Sequence, residues 1–97
     1  MTPFPSPAAA WFWTANVLAL RAKGQHPPNP TADEVLRTLD RLYRRRKIEL
    51  VHARILRIYG ERQRAPNPAY PPERSDHRLW EQALNALIFP LKQKGIL

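Results

Sequence analysis

The sequence predicts an all-α fold, with one domain of four helices over residues 1–97. Prolines cluster at 3–7, 27–30 and 66–72, and each segment between the clusters begins with residues that cap helices. Apolar residues inside these segments recur at helical spacing, whereas no segment alternates apolar and polar residues between hairpin turns. A chain of this length can bury one core.

The first helix should cover about 7–23, with Ser6 as its cap and Gly24 as its C-terminal stop. Its apolar side chains form two nearly opposite stripes, and a helix of this kind is buried on more than one side. We therefore expect it either to thread between the other helices or to present a stripe to a second copy of the chain. The side chains assigned to such a homodimer interface are Trp11, Trp13, Val17 and Leu18.

The second helix should cover about 32–45, because Thr31 and Glu34 have the spacing of a capping box. Its apolar face is predicted to consist of Val35, Leu36, Leu39, Leu42 and Tyr43. The third helix should cover about 49–59, with Gly60 as its stop. Its inward stripe is predicted to consist of Ile48, Val51, Ile55, Ile58 and Tyr59.

A proline-rich loop over 62–74 should follow the third helix. We expect a stiff connector with Tyr70 packed on the domain. The alternative is a basic arm in which Tyr70 stacks on a base. The arm would carry the cations Arg62, Arg64 and Arg74.

The fourth helix should cover about 76–89, with Ser75 or Asp76 as its cap. Its apolar residues at helical spacing are Leu79, Trp80, Ala83, Leu84, Leu87 and Leu91. Pro90 has no N–H to bond the carbonyl of residue 86, so the helix should kink or stop just before it.

The charge of this chain is concentrated in its middle. The stretch from Arg37 to Arg64 holds ten basic and three acidic residues, so it carries +7 of the formal net charge of +8. A localised basic surface is typical of proteins that bind polyanions, most often nucleic acid. An acidic protein partner and a merely solvated helix face are the alternatives. Twelve of the 16 basic residues are Arg, whose planar fork matches phosphate and guanine.

Two amphipathic helices joined by a short basic link predict a helix-turn-helix-like pair formed by the second and third helices. The third helix would then enter the major groove of DNA, where Arg54 and Arg57 reach base edges. The residues assigned to phosphate contacts are Arg37, Arg41, Arg44, Arg45, Arg46 and Lys47. This pattern indicates a small DNA-binding protein, a transcription regulator or accessory factor, and a homodimer would suit a palindromic site.

A second interpretation is a protein-interaction module that binds an acidic partner such as polymerase or another regulator. Leu50 favours it, because an outward leucine among arginines is typical of mixed protein interfaces. RNA is a third and weaker possibility, in which Tyr70 would stack on an unpaired base.

The sequence offers little for catalysis, so we expect no enzyme, no cofactor and no metal. Cysteine is absent, and His26, His52 and His77 lack the spacing of metal ligands. His52 is predicted to be packed and hydrogen-bonded. The apolar stretch 8–20 is shorter than the ~20 residues that cross a bilayer, and no Lys or Arg precedes it. We therefore expect a cytoplasmic protein with no membrane partner.

Three segments carry a resemblance to known proteins: Leu42-Tyr-Arg-Arg-Arg-Lys-Ile48, then His52-Ala-Arg-Ile-Leu-Arg-Ile-Tyr-Gly60, and the tail that begins at Pro90. With Leu79-Trp80, they resemble small uncharacterised basic proteins of alphaproteobacteria over most of the chain. That resemblance implies a bacterial cytoplasm and no site residue. The second and third helices are also similar to phage-type helix-turn-helix regulators, although the turn lacks the glycine common there.

Overall fold

The chain forms an all-α domain of four helices in a computed structural model, which confirms the predicted fold class. The structure describes residues 2–25 and 28–97, so His26 lies outside the described residues, and this part of the chain contains no strand. The helices are α1 (Pro7–Ala22), α2 (Pro30–Arg44), α3 (Leu50–Arg62) and α4 (Arg74–Gln93), and a short 3₁₀ turn, Pro71–Glu73, precedes α4.

The apolar side chains on more than one side of α1 are explained by its packing on all three other helices, although Leu18 remains 36% exposed. α1 and α4 pack on each other, and α2 and α3 each pack on both of them, with little direct contact between α2 and α3. The homodimer interface assigned to α1 is therefore wrong for two side chains, because Trp11 and Val17 are only 5% and 6% exposed within the single chain. Trp13 is half-buried and packs on Phe4, with ring centroids 5.4 Å apart.

The core is centred on α4, and the burial of residues on both sides of Pro90 allows the helix to continue beyond this proline. Leu87 and Leu91 on α4 are fully buried, and Ile96, three residues after the end of α4, is only 6% exposed. Burial of a large apolar side chain contributes about 1.5–3 kcal/mol, so these three side chains together outweigh the roughly 3 kcal/mol that a proline costs inside a helix. The prediction that α4 stops near residue 89 is therefore wrong, because α4 extends to Gln93.

Of the three predicted N-terminal caps, one is confirmed and two are wrong. Ser6 caps α1, and its hydroxyl accepts a hydrogen bond of 3.1 Å from the N–H of Ala9. α2 is capped by Asn29, so the capping box assigned to residues 31–34 is wrong. The capping box lies instead at the start of α3, between Glu49 and His52. Neither Ser75 nor Asp76 caps α4, which continues directly from the 3₁₀ turn.

Gly60 lies inside α3 and does not end it, because the helix continues to Arg62. A Cβ at Gly60 would lie 2.9 Å from Ala15 Cβ and 2.9 Å from Trp11 Nε1. The Trp11 indole N–H donates a hydrogen bond of 2.8 Å to the carbonyl of Leu56. The glycine is therefore needed for the close approach of α3 to α1.

The inward stripe of α3 is shifted relative to the prediction. Val51 was expected inside but is 38% exposed, whereas Leu56, which was not assigned to the stripe, is 1% exposed. The shift arises because α3 packs on α1 and α4 at once, so its buried surface is wider than one stripe and lies to one side of the predicted one.

Candidate nucleic-acid interface

The arginines on α2 are paired with carboxylates of the same helix. Glu34 binds Arg37 at 3.2 Å and Arg41 at 3.3 Å, and Asp40 binds Arg44 at 3.0 Å. Lys94, which follows α4, reaches the same Glu34 oxygen as Arg41 at 3.3 Å. Each of the three arginines predicted on this helix to contact phosphate is therefore already in an ion pair.

The ionisation of Glu34 reflects these neighbours. Burial opposes the charged form, but hydrogen bonds from Arg41, Lys94 and Arg37 outweigh it, so the pKa of Glu34 is lowered. Glu34 thus remains a carboxylate that offsets much of the positive charge of α2 at neutral pH.

The turn between α2 and α3 ends α2 with a backbone motif that usually contains glycine. The N–H of Lys47 donates to the carbonyl of Leu42 at 2.8 Å, and the N–H of Arg46 donates to Tyr43 at 3.0 Å, which is the Schellman pattern. Arg46 holds the left-handed position of this motif with φ of 59°. Ile48, 3% exposed, anchors the turn to the core and leaves the three preceding side chains in solvent.

The first turn of α3 is held by His52. Its Nδ1 accepts a 2.9 Å hydrogen bond from the N–H of Glu49, and its Nε2 lies 2.9 Å from Gln82 Oε1. Since Nδ1 accepts, the proton is on Nε2, which donates to Gln82. The prediction of a packed, hydrogen-bonded His52 is confirmed, and this histidine fixes the start of α3 and joins it to α4.

The outer face of α3 presents Arg54 and Arg57 to solvent, with Leu50 one turn before them at 69% exposure. Within residues 2–25 and 28–97, neither arginine side chain has an ion pair or a hydrogen bond. The same is true of the three cations of the turn. We call this set the turn–α3 surface, and it consists of Arg45, Arg46, Lys47, Arg54 and Arg57.

The eight residues predicted to contact DNA therefore fall into two groups, the three paired arginines of α2 and the turn–α3 surface. A helix-turn-helix motif requires its two helices to pack on each other. Here α2 and α3 are successive in the chain, but each packs mainly on α1 and α4. One face of α3 is thus exposed to solvent, as expected, but α2 and α3 do not form the packed helix pair that was predicted.

A cleft of about 260 Å³ separates α2 from α3, with Trp11 and Ile48 in its lining. Leu50 lines one side and Tyr43 the other. Tyr43 was predicted to face the core, but it is 43% exposed. Tyr43 has the helical spacing of the apolar face of α2, but its ring lies at the cleft between α2 and α3 and is therefore exposed to solvent.

The loop between α3 and α4 is held by one buried acid. Glu73 binds both guanidinium nitrogens of Arg64, at 3.1 and 3.0 Å, and accepts a 2.8 Å bond from the N–H of Asn67. The hydrogen bonds from Arg64 and Asn67 lower the pKa of Glu73 to about 2. The loop is a fixed connector as predicted, but Tyr70 is 53% exposed and does not pack on the domain.

Tyr59 links this loop to the core. Its hydroxyl donates a 2.7 Å hydrogen bond to Asp76, and the guanidinium groups of Arg62 and Arg64 lie 5.2 and 5.8 Å from the centre of its ring. Burial, together with the bond to Asp76, raises the pKa of Tyr59 to about 12. Arg62 and Arg64 are thus occupied by contacts within the domain.

Other chemistry is sparse in the described residues. No group of three or more His, Cys, Asp or Glu side chains in that part of the chain is placed to hold a metal ion. None of the helices formed by the described residues is both long enough and apolar enough to cross a membrane. Comparisons with protein-family models, curated proteins and solved structures find no match to this chain.

Proposed function

We propose that this protein binds DNA through the turn–α3 surface, as a transcription regulator or accessory factor in the cytoplasm. The observation that carries the proposal is electrostatic. In the described parts of the chain, most carboxylates already serve a cation, a helix cap or a hydroxyl, whereas this one surface gathers five cations without partners. Such a surface releases the counterions of a phosphate backbone when it binds.

The roles within the surface follow from position. Arg54 and Arg57 lie three residues apart on one exposed helix face, so both can reach the same groove or the same strand. Arg45, Arg46 and Lys47 project from the turn and suit phosphate contacts. All five residues of this surface lie on one copy of the chain, so the proposal does not depend on the homodimer predicted through α1.

Fluorescence anisotropy with random-sequence duplex DNA at several salt concentrations tests this proposal. The logarithm of the binding constant should fall linearly with the logarithm of salt, by about 0.9 for each phosphate contacted. The variant with Arg54→Ala and Arg57→Ala should bind more weakly with a shallower slope. Absence of binding at low salt, or unchanged binding by this variant, would contradict the proposal.

The cleft between α2 and α3 supports a second candidate, an acidic amphipathic helix of a partner protein. Its mostly apolar lining would take the leucines of such a helix, while Arg46, which lines the adjoining pocket and has no ion-pair partner in the described residues, would face its carboxylates. A synthetic helical peptide with a leucine stripe between glutamates is the probe. Leu50→Ala should weaken peptide binding and leave DNA affinity unchanged, and the reverse outcome would exclude this candidate.

A further inference from the structure

Phe89 is an aromatic ring that the core does not use. It is 69% exposed, more than any other aromatic side chain in the described residues. It lies on α4 directly before Pro90, where packing of the following turn keeps the helix in place. A single exposed apolar side chain is common on protein surfaces, so the observation that matters for Phe89 is the pocket beside it.

The pocket beside Phe89 is basic. It has a volume of about 190 Å³, lies between the end of α2 and the end of α4, and its lining includes Arg41, Arg45 and Lys94. Arg41 and Lys94 share the carboxylate of Glu34. Of the three cations in the lining, Arg45 is therefore the one without an ion-pair partner in the described residues, and it is free to bind an anion.

An aromatic face next to a cation is the arrangement that binds single-stranded nucleic acid. Every base has a π-face that can stack on such a ring, and the adjoining phosphate needs a positive partner. The pocket is smaller than the roughly 300–1,000 Å³ of sites for drug-sized ligands, so it can take one base while the sugar and the phosphate stay at its rim. The Gln93 amide in the lining can donate to or accept from a base edge.

We propose that this pocket takes one unpaired nucleotide of a DNA strand, with its base stacked on Phe89 and its phosphate on Arg45. The inference rests on the proposed DNA binding, because Arg45 belongs both to this pocket and to the turn–α3 surface. A duplex with a single-stranded end would then occupy the two together, the duplex on the turn–α3 surface and the extension at Phe89.

The test compares two DNAs with equal numbers of phosphates, one a blunt duplex and the other a shorter duplex with a single-stranded thymidine extension. The wild type should prefer the extended DNA by about tenfold, the effect of one base–aromatic stack. Phe89→Ala should remove the preference and leave the affinity for the blunt duplex unchanged. Phe89→Trp should keep it, and so should Tyr70→Ala, which removes an exposed ring from the loop before α4.

The outcomes separate the two proposals. Equal binding of both DNAs by the wild type, or a preference that survives in Phe89→Ala, overturns the pocket and leaves DNA binding in place. Binding of neither DNA overturns both. Binding of the extended DNA alone, lost in Phe89→Ala, supports the pocket and contradicts duplex binding by the turn–α3 surface.

Discussion

α2 and the turn–α3 surface have similar arginine content and lie next to each other in the chain. The arginines of α2 are in ion pairs, whereas the cations of the turn–α3 surface have no ion-pair partner in the described residues. On α2, Glu34 and Asp40 precede the arginines they bind by three, four or seven residues, so all three arginines are paired, whereas Asp33 binds Arg21 of α1. On α3 the order is reversed, with Glu61 four residues after Arg57, and no ion pair joins them in the described structure. Acid before base is the favourable order on a helix, because it also suits the helix dipole. The order of acidic and basic residues along each helix thus distinguishes α2, whose arginines are paired, from the outer face of α3, whose arginines remain available for binding.

The strongest way to break this comparison is to remove equal charge from each region. The variant with Arg54→Ala and Arg57→Ala should lose about tenfold or more in DNA affinity, since each arginine contact is worth about 1–3 kcal/mol. The variant with Arg37→Ala and Arg44→Ala removes the same charge from α2 and should bind almost normally. Anisotropy at one salt concentration decides it, and equal losses in the two variants would show that only net charge matters.

The turn can be tested for stored strain. Arg46→Gly should stabilise the fold by about 1 kcal/mol, because φ of 59° disfavours a side chain and suits glycine. Arg45→Gly removes the same charge at φ of −86° and should destabilise the fold by about 0.5–1 kcal/mol. Urea unfolding of both variants measures the difference, and effects of the same sign would contradict the assignment of strain to Arg46.

The comparison can also be sharpened by converting α2 into a second unpaired surface. Glu34→Gln removes the carboxylate shared by Arg37, Arg41 and Lys94, so DNA affinity should rise a few-fold and the salt dependence should steepen. Glu81→Gln on α4 makes the same charge change away from these cations and is the control. Equal gains in the two variants would mean that pairing on α2 does not restrict binding.

The smallest effect near neutral pH concerns the Arg64–Glu73 pair that holds the loop. The pKa of Glu73 is lowered from 4.5 to about 2 in the fold, so its contribution to stability is complete above pH 4.5 and is lost as pH falls toward 2. Thermal unfolding of Glu73→Gln should lack this part of the acid dependence. A wild-type and variant difference that stays constant from pH 5 to pH 2 would contradict the assignment.

The number and approximate bounds of the helices could be predicted, because caps and prolines act over a few residues. Ser6 and Pro7 start α1, and Gly24 adopts φ of 82° just after it. The caps of α2 and α4 were local errors of a few residues, whereas the errors at Pro90 and Gly60 arise from residues far away in the chain. Pro90 stays inside α4 because Leu91 is buried, and Gly60 stays inside α3 because α1 passes against it.

The residues of the candidate site could be predicted from the sequence, but their separation into paired and unpaired cations was not predicted. The sequence locates the eight candidate site residues among the ten cations of the central stretch, but it does not show that Lys94, far away in the chain, joins Arg37 and Arg41 on Glu34. The exposure of Phe89 could not be predicted from the sequence either, because phenylalanine is usually buried. Its exposure depends on which side of α4 the other helices cover.

By itself the sequence determined an all-α domain with a concentrated arginine segment and a buried, hydrogen-bonded His52, since each of these depends on local periodicity, capping or residue type. Only the tertiary structure decided that Lys94 joins Glu34, that α1 packs on all three other helices, and that the turn, α3 and Phe89 present side chains to solvent. The physical reason is the distance along the chain over which each interaction acts. Helix formation and the ion pairs within α2 depend on residues that are near in the sequence, whereas burial and contacts between helices depend on the helix that packs alongside.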